Sequence, residues 1–357
     1  MLIYLCLSSH GYGHAARQAA IFSELYRLRP DWQYVVSSVV DYEFLNLAFN
    51  GIPIIHRRIK WDIGTVQDNA LTVDIEKTLY ELNNFYLKLP EILIEESDWI
   101  KSQNNNPLII GDIPPSASRL ASLLTAPLIW MGNFGWDNIY SSYDNRFSEY
   151  ISNISDDYSK GNILIRFPFS MNMNWKIKEH KVGLVVSQKK ILPNKFLANL
   201  ESIKKKFILI SLGGMGFKLS KETFSKWRDF HFLINRENDI NDCSDIENVS
   251  LLPRSLCLID VMPYCYRVIT KPGFSTFCEA ISCNLGIHVV ERKYFSEAQF
   301  LIEGLKKYGS FRLLSEESFY NGNWQLDKEL RNEHNSIIKS DGALSSAEAV
   351  ISYIEEI

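Results

Sequence analysis

The hydrophobic positions of the chain fall into short continuous runs that alternate with stretches of helical spacing. The first run is Leu2–Leu7, six apolar residues without polar alternation, which is typical of a strand buried on both faces of a parallel sheet. Apolar residues then recur at helical spacing from Ala15 to Leu28, and Pro30 ends that segment. The order of strand, glycine turn and helix predicts a doubly wound α/β unit with a ligand at the carboxyl end of the first strand.

The same alternation continues to about residue 185 and then begins again at Phe207. The first half predicts further strands at 33–40, 53–57, 107–110, 127–131 and 162–167, with helices at 75–101 (broken around Pro90), 116–124 and 147–157. The second half predicts strands at 207–212, 230–234, 249–252, 267–270 and 286–290, with helices at 221–227, 256–263, 277–282 and 297–307. We therefore expect two Rossmann-like domains, 1–185 and 186–342, that face each other across a cleft, and a final helix at 343–357 that packs back on the first domain.

Composition narrows the class of protein. A chain of 357 residues is long enough for two hydrophobic cores. A net charge of -4 offers no general basic surface, so we expect no nucleic-acid partner. No apolar stretch is long enough to cross a membrane and no signal peptide opens the chain, so we expect a cytoplasmic location. The six cysteines contain no C-x-x-C pair, which favours free thiols over disulfides or a zinc site.

Polar residues follow three strands of the first domain and meet at one edge of its predicted sheet. His10 and His14 flank Gly11 and Gly13 in the first turn, and Asp112 ends a later strand. An unperturbed histidine can accept a proton near neutral pH, so His14 or His10 is the candidate base, and Asp112 either orients it or holds the acceptor. We assign four further residues of this edge to the acceptor side: Arg17, Asn133, Trp136 and Asp137.

The second domain offers sites for an anion and for sugar hydroxyls. Its first strand ends in glycines whose N–H groups could hold a phosphate, Gly213, Gly214 and Gly216, without the Lys-Ser/Thr pair of a P-loop. A later strand leads into a helix start that forms a second anion site, with Lys271, Gly273, Ser275 and Thr276. Glu279 lies one turn farther on and could accept two ribose hydroxyls, and Glu297 and Gln299 could bind those of the sugar.

Simpler interpretations of these residues stay open at this point. The glycines could serve tight turns alone, and the histidines could bond only to turn carbonyls. Gly11, Gly13 and Ala16 also satisfy the short dinucleotide fingerprint, with Asp41 where a ribose-binding acid would stand. Two histidines in a turn without a glutamate make a poor zinc site, so no metal is predicted.

Several segments, in this order and spacing, carry a resemblance to a known family. They are HGYGHAAR, WDIGTVQDNALTVD, GDIPPSASRLA with NFGWDNIY, KPGFSTFCEA and ERKYFSEAQFL. The chain resembles the GT-B glycosyltransferases, and most closely the glycosyltransferase-like N-terminal domain of plant L-arabinokinases. The matching segments include no counterpart of the galactokinase-like kinase domain, so sugar kinase activity is not implied.

The resemblance implies a nucleotide sugar, usually UDP-linked, bound by the second domain. It places His14 near the acceptor, Glu279 on the ribose, and Glu297 with Gln299 near the donor sugar. It further implies a single inverting displacement with His14 or Asp112 as the base, and a leaving diphosphate stabilised by the helix end at 273–276 rather than by a metal. No other cofactor is expected.

Two other functions compete with a transferase. A UDP-sugar 2-epimerase is similar in fold, and a sugar-nucleotide sensor would bind the same ligand without turnover. The acceptor is an unknown small molecule or a lipid, and contact with a membrane surface stays open because no basic helix requires it.

Overall fold

A computed structural model describes residues 1–67, 71–103, 106–213, 217–235, 246–292, 295–331 and 336–356. The chain forms two parallel sheets with helices packed against them. The first sheet has the order β3-β2-β1-β4-β5-β6-β7, and its strands are β1 (Leu2–Leu7), β2 (Gln33–Ser37), β3 (Ile54–Arg57), β4 (Pro107–Asp112), β5 (Leu128–Gly132), β6 (Ile163–Arg166) and β7 (Lys178–Lys181). The second has the order β10-β9-β8-β11-β12-β13, with β8 (Lys206–Ser211), β9 (Phe230–Asn235), β10 (Val249–Leu252), β11 (Cys265–Thr270), β12 (Gly286–Val290) and β13 (Phe311–Leu314).

Helices connect these strands. Those of the first half are α1 (Tyr12–Leu28), α2 (Tyr42–Ala48), α3 (Ile75–Ser102), α4 (Ser116–Leu124), α5 (Trp136–Tyr140) and α6 (Ser148–Ser159). Those of the second half are α7 (Asn194–Ser202), α8 (Lys221–Ser225), α9 (Leu258–Val261), α10 (Phe274–Ser282), α11 (Glu297–Tyr308), α12 (Glu316–Tyr320) and α13 (Gly342–Glu356). The predicted α/β class is confirmed.

The centre of each sheet explains where the cleft lies. Every residue of β1 is buried, and β1 pairs in parallel with β2 on one side and β4 on the other. The strand order reverses at this point, so the helices after β1 and β4 pack on opposite faces and leave a crevice above the strand ends. In the second sheet β8 has the same position, between β9 and β11.

The structure differs from the predicted elements in several places, and helices α2, α7 and α12 were not predicted. Helix α3 continues through Pro90, because its buried face repeats on both sides of the proline, from Leu82 to Leu93. The edge strand β7 is fully exposed and polar, and β13 was not predicted either. Helix α5, which begins at Trp136, was not predicted. Helix α10 begins at Phe274, three residues early, so Ser275 and Thr276 belong to its first turn.

The two domains are in direct contact. One apolar cluster runs from the first sheet across α1 and α10 into the second sheet, and Phe167 stacks on Phe274 with ring centroids 5.5 Å apart. Helix α13 packs against α1, and Arg29 pairs with Glu355 there. Within the described ranges, no helix has the length and apolar character needed to cross a membrane.

Candidate active site

A cleft of about 790 Å³ separates the carboxyl ends of the two sheets. Twelve of the residues predicted for catalysis, donor binding or the acceptor side line it: His10, Gly11, Gly13, His14, Arg17, Gly213, Lys271, Gly273, Ser275, Thr276, Glu279 and Glu297. Gly214 and Gly216 lie outside the described residues. The structure therefore brings the glycine turn of the first domain to the predicted anion site of the second.

His14 and Asp112 form a buried pair at the floor of the cleft. Helix α1 carries His14 in its first turn and β4 ends at Asp112, and the His14 Nδ1 atom lies 2.8 Å from Asp112 Oδ1. An ionised carboxylate only accepts hydrogen bonds, so the bond between His14 and Asp112 requires a proton on Nδ1. Arg17 Nη2 lies 2.9 Å from the same Nδ1 atom, but it also donates to Asp112 Oδ1, which leaves Nδ1–H compatible with both neighbours. The Nε2 atom of His14 then keeps its lone pair, and no described residue donates to it. The imidazole is therefore oriented to accept a proton from a bound molecule.

Asp112 is saturated with hydrogen bonds. Arg17 donates to it through Nε, at 2.7 Å from Oδ2, and through Nη2 to Oδ1, and Gln18 Nε2 lies 2.7 Å from Oδ2. Burial by itself would raise the pKa of Asp112, but the charge and hydrogen bonds of Arg17 and His14 lower it to about 2. This carboxylate is fully ionised and fully occupied, so it can orient His14 but has no free lone pair for an acceptor hydroxyl.

His10 has a different environment from His14. Its ring stacks on Phe295, with centroids 5.6 Å apart, and meets the edge of Trp136. The Thr65 N–H donates to Nδ1, and Nε2 lies 2.9 Å from the side-chain amide of Gln67. Burial, together with the positive charge of nearby Arg292, lowers the pKa of His10 well below its usual value. Both ring nitrogens are engaged, so His10 supports the cleft wall, and the geometry favours His14 as the base.

Trp136 and Asp137 support the site from behind the cleft wall. The Nε1 atom of Trp136 donates to Asp62 Oδ2 at 2.8 Å, and burial raises the pKa of that carboxyl. Asp137 accepts from Trp175 and Ser155 inside the first domain. Neither Trp136 nor Asp137 lines the cleft, so their places differ from the acceptor-side positions that we expected.

Gly64 allows the close approach of His10 and Trp136. Its φ is +61°, and a Cβ atom there would lie 2.8 Å from His10 Nδ1 and 2.9 Å from the Trp136 ring. Gly51 has a φ of +86° with no atom within 4 Å of an added Cβ, and therefore serves as a matched control. We expect Gly51→Ala to destabilise the protein by about 1–2 kcal/mol through backbone strain alone, and Gly64→Ala by about 1–3 kcal/mol more through the clash.

Urea unfolding of the two glycine variants and the wild type measures this difference. Equal losses of unfolding free energy in Gly64→Ala and Gly51→Ala would show that the side chains of His10 and Trp136 move aside at no energetic cost. That result would contradict the tight packing of these side chains against Gly64.

The first turn of α10 faces the first turn of α1 across the cleft. Ser275 Oγ donates to the carbonyl oxygen of Gly13 at 2.8 Å. Gly273 caps α10 without a side-chain hydrogen bond, which leaves the N–H groups of the first turn for a ligand. Lys271 stands just before this turn, and burial and the nearby charge of Arg292 lower its pKa to about 7. The helix end and the lysine together suit a diphosphate.

Glu279 lies one turn farther along α10 and is buried in the cleft wall. Burial, with the nearby charge of Asp260, raises the pKa of Glu279 to about 8. Asp260 itself accepts from the backbone N–H groups of Lys190 and Cys257, at 2.8 and 2.9 Å. The environment of Glu279 is therefore unfavourable for its ionised form, and hydroxyl donors from a ligand would stabilise that form.

Glu297 connects the two domains. The Nδ2 atom of Asn133 donates to Glu297 Oε1 at 2.7 Å, and Arg17 Nη1 donates to the amide oxygen of Asn133 at 2.8 Å. The chain of contacts from Glu297 through Asn133 and Arg17 ends at Asp112, so the predicted sugar-binding carboxylate is linked to the predicted base. Gln299, in contrast, is exposed on α11 and does not line the cleft, contrary to our expectation.

Sequence reasoning missed several residues of the site. These are Asp62, Thr65 and Gln67 behind His10, and Arg292 and Phe295 in the second domain. All five lie in the segments WDIGTVQ and ERKYF, and so a closer inspection of those segments could have found them. Among the described residues, no group of three His, Cys, Asp or Glu side chains could hold a metal ion.

Comparisons with known proteins place this geometry in context. No family model matches the chain. An L-arabinokinase of Arabidopsis thaliana is 28% identical over 320 residues, which are 85% of this chain and 29% of the arabinokinase. The chain thus spans less than a third of that relative's length. The similarity to an arabinokinase that we expected from the sequence is confirmed.

Solved structures share the arrangement of both domains. The calicheamicin glycosyltransferase CalG4 has a TM-score of 0.65 and 14% identity, over 99% of this chain and 98% of CalG4. Arabidopsis thaliana UGT89C1, complexed with UDP, has a TM-score of 0.60 and 12% identity over 98% and 94% of the two chains. A UDP-N-acetylglucosamine 2-epimerase assigned in Listeria monocytogenes has a TM-score of 0.58 and 16% identity over 100% and 97%.

Proposed function

We propose, because the chain has the GT-B glycosyltransferase fold, that it transfers a sugar from a UDP-linked donor to an acceptor hydroxyl with inversion. One observation carries the proposal. The His14–Asp112 pair and the open first turn of α10 stand on opposite sides of one cleft, joined by the hydrogen bond between Ser275 and Gly13. A proton acceptor on one side of the cleft and an anion-binding helix end on the other suit a displacement that releases a diphosphate.

The proposed step conserves charge and atoms. The acceptor oxygen bonds to the anomeric carbon while its proton passes to His14 Nε2, and the bond from that carbon to the diphosphate oxygen breaks. Asp112 holds the imidazole and stabilises the imidazolium that forms. The leaving diphosphate is stabilised by the N–H groups of the α10 first turn and by Lys271. The proposal requires no metal and no cofactor besides the nucleotide sugar.

Neighbouring proteins support the donor class. UGT89C1 is solved with UDP and, in another crystal, with quercetin. A UDP-N-acetylglucosamine 2-epimerase has a related fold, so epimerisation of a UDP-sugar is the second candidate function. An epimerase needs no acceptor. Incubation with UDP-glucose, UDP-galactose or UDP-N-acetylglucosamine therefore separates the two functions, because a transferase releases UDP in proportion to added acceptor and an epimerase converts the sugar without one.

The first test is binding of the nucleotide. A thermal-shift panel of UDP, GDP, ADP and TDP on the wild type and Glu279→Gln should show a selective rise in melting temperature that the variant loses. Binding of UDP-sugars without turnover in any acceptor mixture would instead favour a sensor. No shift in melting temperature with any nucleotide would contradict both the transferase and the sensor.

The contribution of Glu279 should depend on pH. Ribose hydroxyls donate to the ionised carboxylate, but the free protein holds this group protonated below about pH 8. The cost of deprotonating Glu279 therefore opposes binding at low pH. We expect the ratio of UDP dissociation constants, Glu279→Gln over wild type, to rise about tenfold between pH 6 and 7 and about fivefold between pH 7 and 8. Isothermal titration at three pH values measures it, and the ratio cancels the titration of Lys271.

The stability of the free protein provides the control. The pKa of Glu279 is about 8 in the folded protein and lower in the unfolded chain. This group therefore contributes to the stability of the fold at pH values below its pKa in the unfolded chain, and that contribution to stability is lost as the pH rises through about 8. Glu279→Gln should gain stability relative to the wild type at pH 9. A pH-independent ratio of dissociation constants would mean that Glu279 does not bind the ribose as a carboxylate.

A further inference from the structure

Arg292 presents a hydrogen-bonding surface that nothing in the described part of the chain uses. The residue follows β12 and lines the cleft, and its guanidinium carbon lies 3.8 Å from the centroid of the Phe295 ring. This stacking fixes the plane of the guanidinium. Its Nε and Nη2 atoms are both buried, and no described residue accepts a hydrogen bond from either. A buried cation with two unpartnered donors is costly, so this arrangement indicates a ligand.

The two unpartnered atoms form the fork that arginines use to hold a carboxylate. Four other arginines in the described part of the chain each place Nε and Nη2 on the two oxygens of one carboxylate. These pairs are Arg17 with Asp112, Arg57 with Glu96, Arg146 with Asp144 and Arg166 with Glu179. The Nε and Nη2 atoms of Arg292 are buried, but no described residue offers them a carboxylate in this forked geometry.

The place of Arg292 along the sheet edge separates it from the diphosphate site. Gly213 follows β8, Lys271 follows β11 and Arg292 follows β12, and these three strands are neighbours in that order. Helix α10 and Lys271 form the proposed diphosphate site at the middle strand. Arg292 stands one strand farther on, about 5 Å in a sheet, on the side of Glu297. That is the side where the donor sugar is proposed to lie.

We propose that Arg292 is a specificity-determining residue that binds a carboxylate on the transferred sugar, so that the donor is a nucleotide-linked uronic acid. The inference rests on the proposed function, because it assumes a nucleotide sugar in this cleft. A neutral hexose would leave the fork empty, whereas a C6 carboxylate can accept from both nitrogens at once. Glu297 then remains for the sugar hydroxyls.

The charges around Arg292 agree with this assignment. Burial lowers the pKa of Arg292 to about 10, and its charge in turn lowers the pKa of Lys271 and of His10. A diphosphate offsets the charge of Lys271. The Glu297 carboxylate near Arg292 raises the pKa of that arginine, but it accepts from Asn133 and not from Nε or Nη2 of Arg292, so both of these donors stay available to an anion. A uronate supplies that anion in the same ligand.

Binding of matched donor pairs tests the proposal. Isothermal titration would compare UDP-glucuronate with UDP-glucose, UDP-galacturonate with UDP-galactose, and UDP alone, on the wild type, Arg292→Gln and Arg292→Lys. We expect at least one uronate to bind about tenfold or more tightly than its neutral partner. That ratio should fall to about one in Arg292→Gln, and Arg292→Lys should give an intermediate ratio because lysine keeps the charge but lacks the fork.

Arg312→Gln is the matched control, since Arg312 also has a buried, unpartnered Nε but lies on β13 outside the cleft lining. It should leave the ratio unchanged. A wild type with no preference for either uronate overturns the inference while UDP binding preserves the proposed function. Equal weakening of UDP and of all four sugars by Arg292→Gln would also overturn it, by making Arg292 a diphosphate ligand. Failure of every nucleotide to bind would overturn both this inference and the proposed function.

Discussion

We expect His14→Ala to lower the rate of the proposed sugar transfer by about 10²–10⁴-fold and to leave UDP affinity within about twofold of the wild type. The Nε2 atom of His14 is the proposed proton acceptor beside the open end of α10, and its removal would leave only bulk water to take the proton. Initial rates of acceptor-dependent UDP release measure the loss, and thermal shift with UDP checks that the donor site is intact.

His10→Gln is the matched control, because it changes the other histidine of the same turn. His10 is held by Thr65, Gln67 and Phe295, so we expect this variant to lose stability and less than about tenfold in rate. A larger loss of rate in His10→Gln than in His14→Ala, with both proteins folded, would make His10 the base.

We expect Arg17→Met to destabilise the protein by about 3–5 kcal/mol, the usual cost of leaving one partner of a buried ion pair uncompensated. Arg17 and Asp112 are both almost inaccessible to water, with side-chain exposures of 2% and 0%. Arg17 also holds Asn133, so the variant weakens the link between the domains as well. Urea unfolding at pH 7 measures the loss of unfolding free energy.

The pH dependence of this loss follows from the pKa of Asp112. Its folded pKa of about 2 lies below the unfolded value of about 3.9, so the ionised carboxylate stabilises the fold above the unfolded value and loses that contribution as the pH falls through about 2. The difference between wild type and Arg17→Met should therefore narrow toward pH 2. The double variant Arg17→Met with Asp112→Asn should be more stable than Arg17→Met, because it no longer buries a lone charge. A double variant less stable than Arg17→Met would contradict this account.

The local pattern of the sequence determined a large part of this protein. Six apolar residues and a glycine turn predicted β1 and the start of α1, because a buried strand and a helix each have their own hydrophobic period. The position of polar residues after strands then predicted that His14, Asp112, Ser275 and Glu279 lie at sheet edges. It could not predict β7, whose residues are all polar and exposed, or the passage of α3 through Pro90.

Only the tertiary structure determined which of these residues is placed to act as the base and which supports the cleft wall. His14 and His10 stand in one turn and look equivalent in sequence, but the angle at which α1 leaves β1 brings His14 to Asp112, 98 residues away, and His10 to Thr65. The hydrogen bond between Gly13 and Ser275 joins residues that are 262 positions apart in the chain. The lack of an acceptor for Nε and Nη2 of Arg292 among the described residues is visible only when its surroundings are known. Periodicity reports which face of an element is buried, whereas the partner of a buried polar group depends on how distant elements pack.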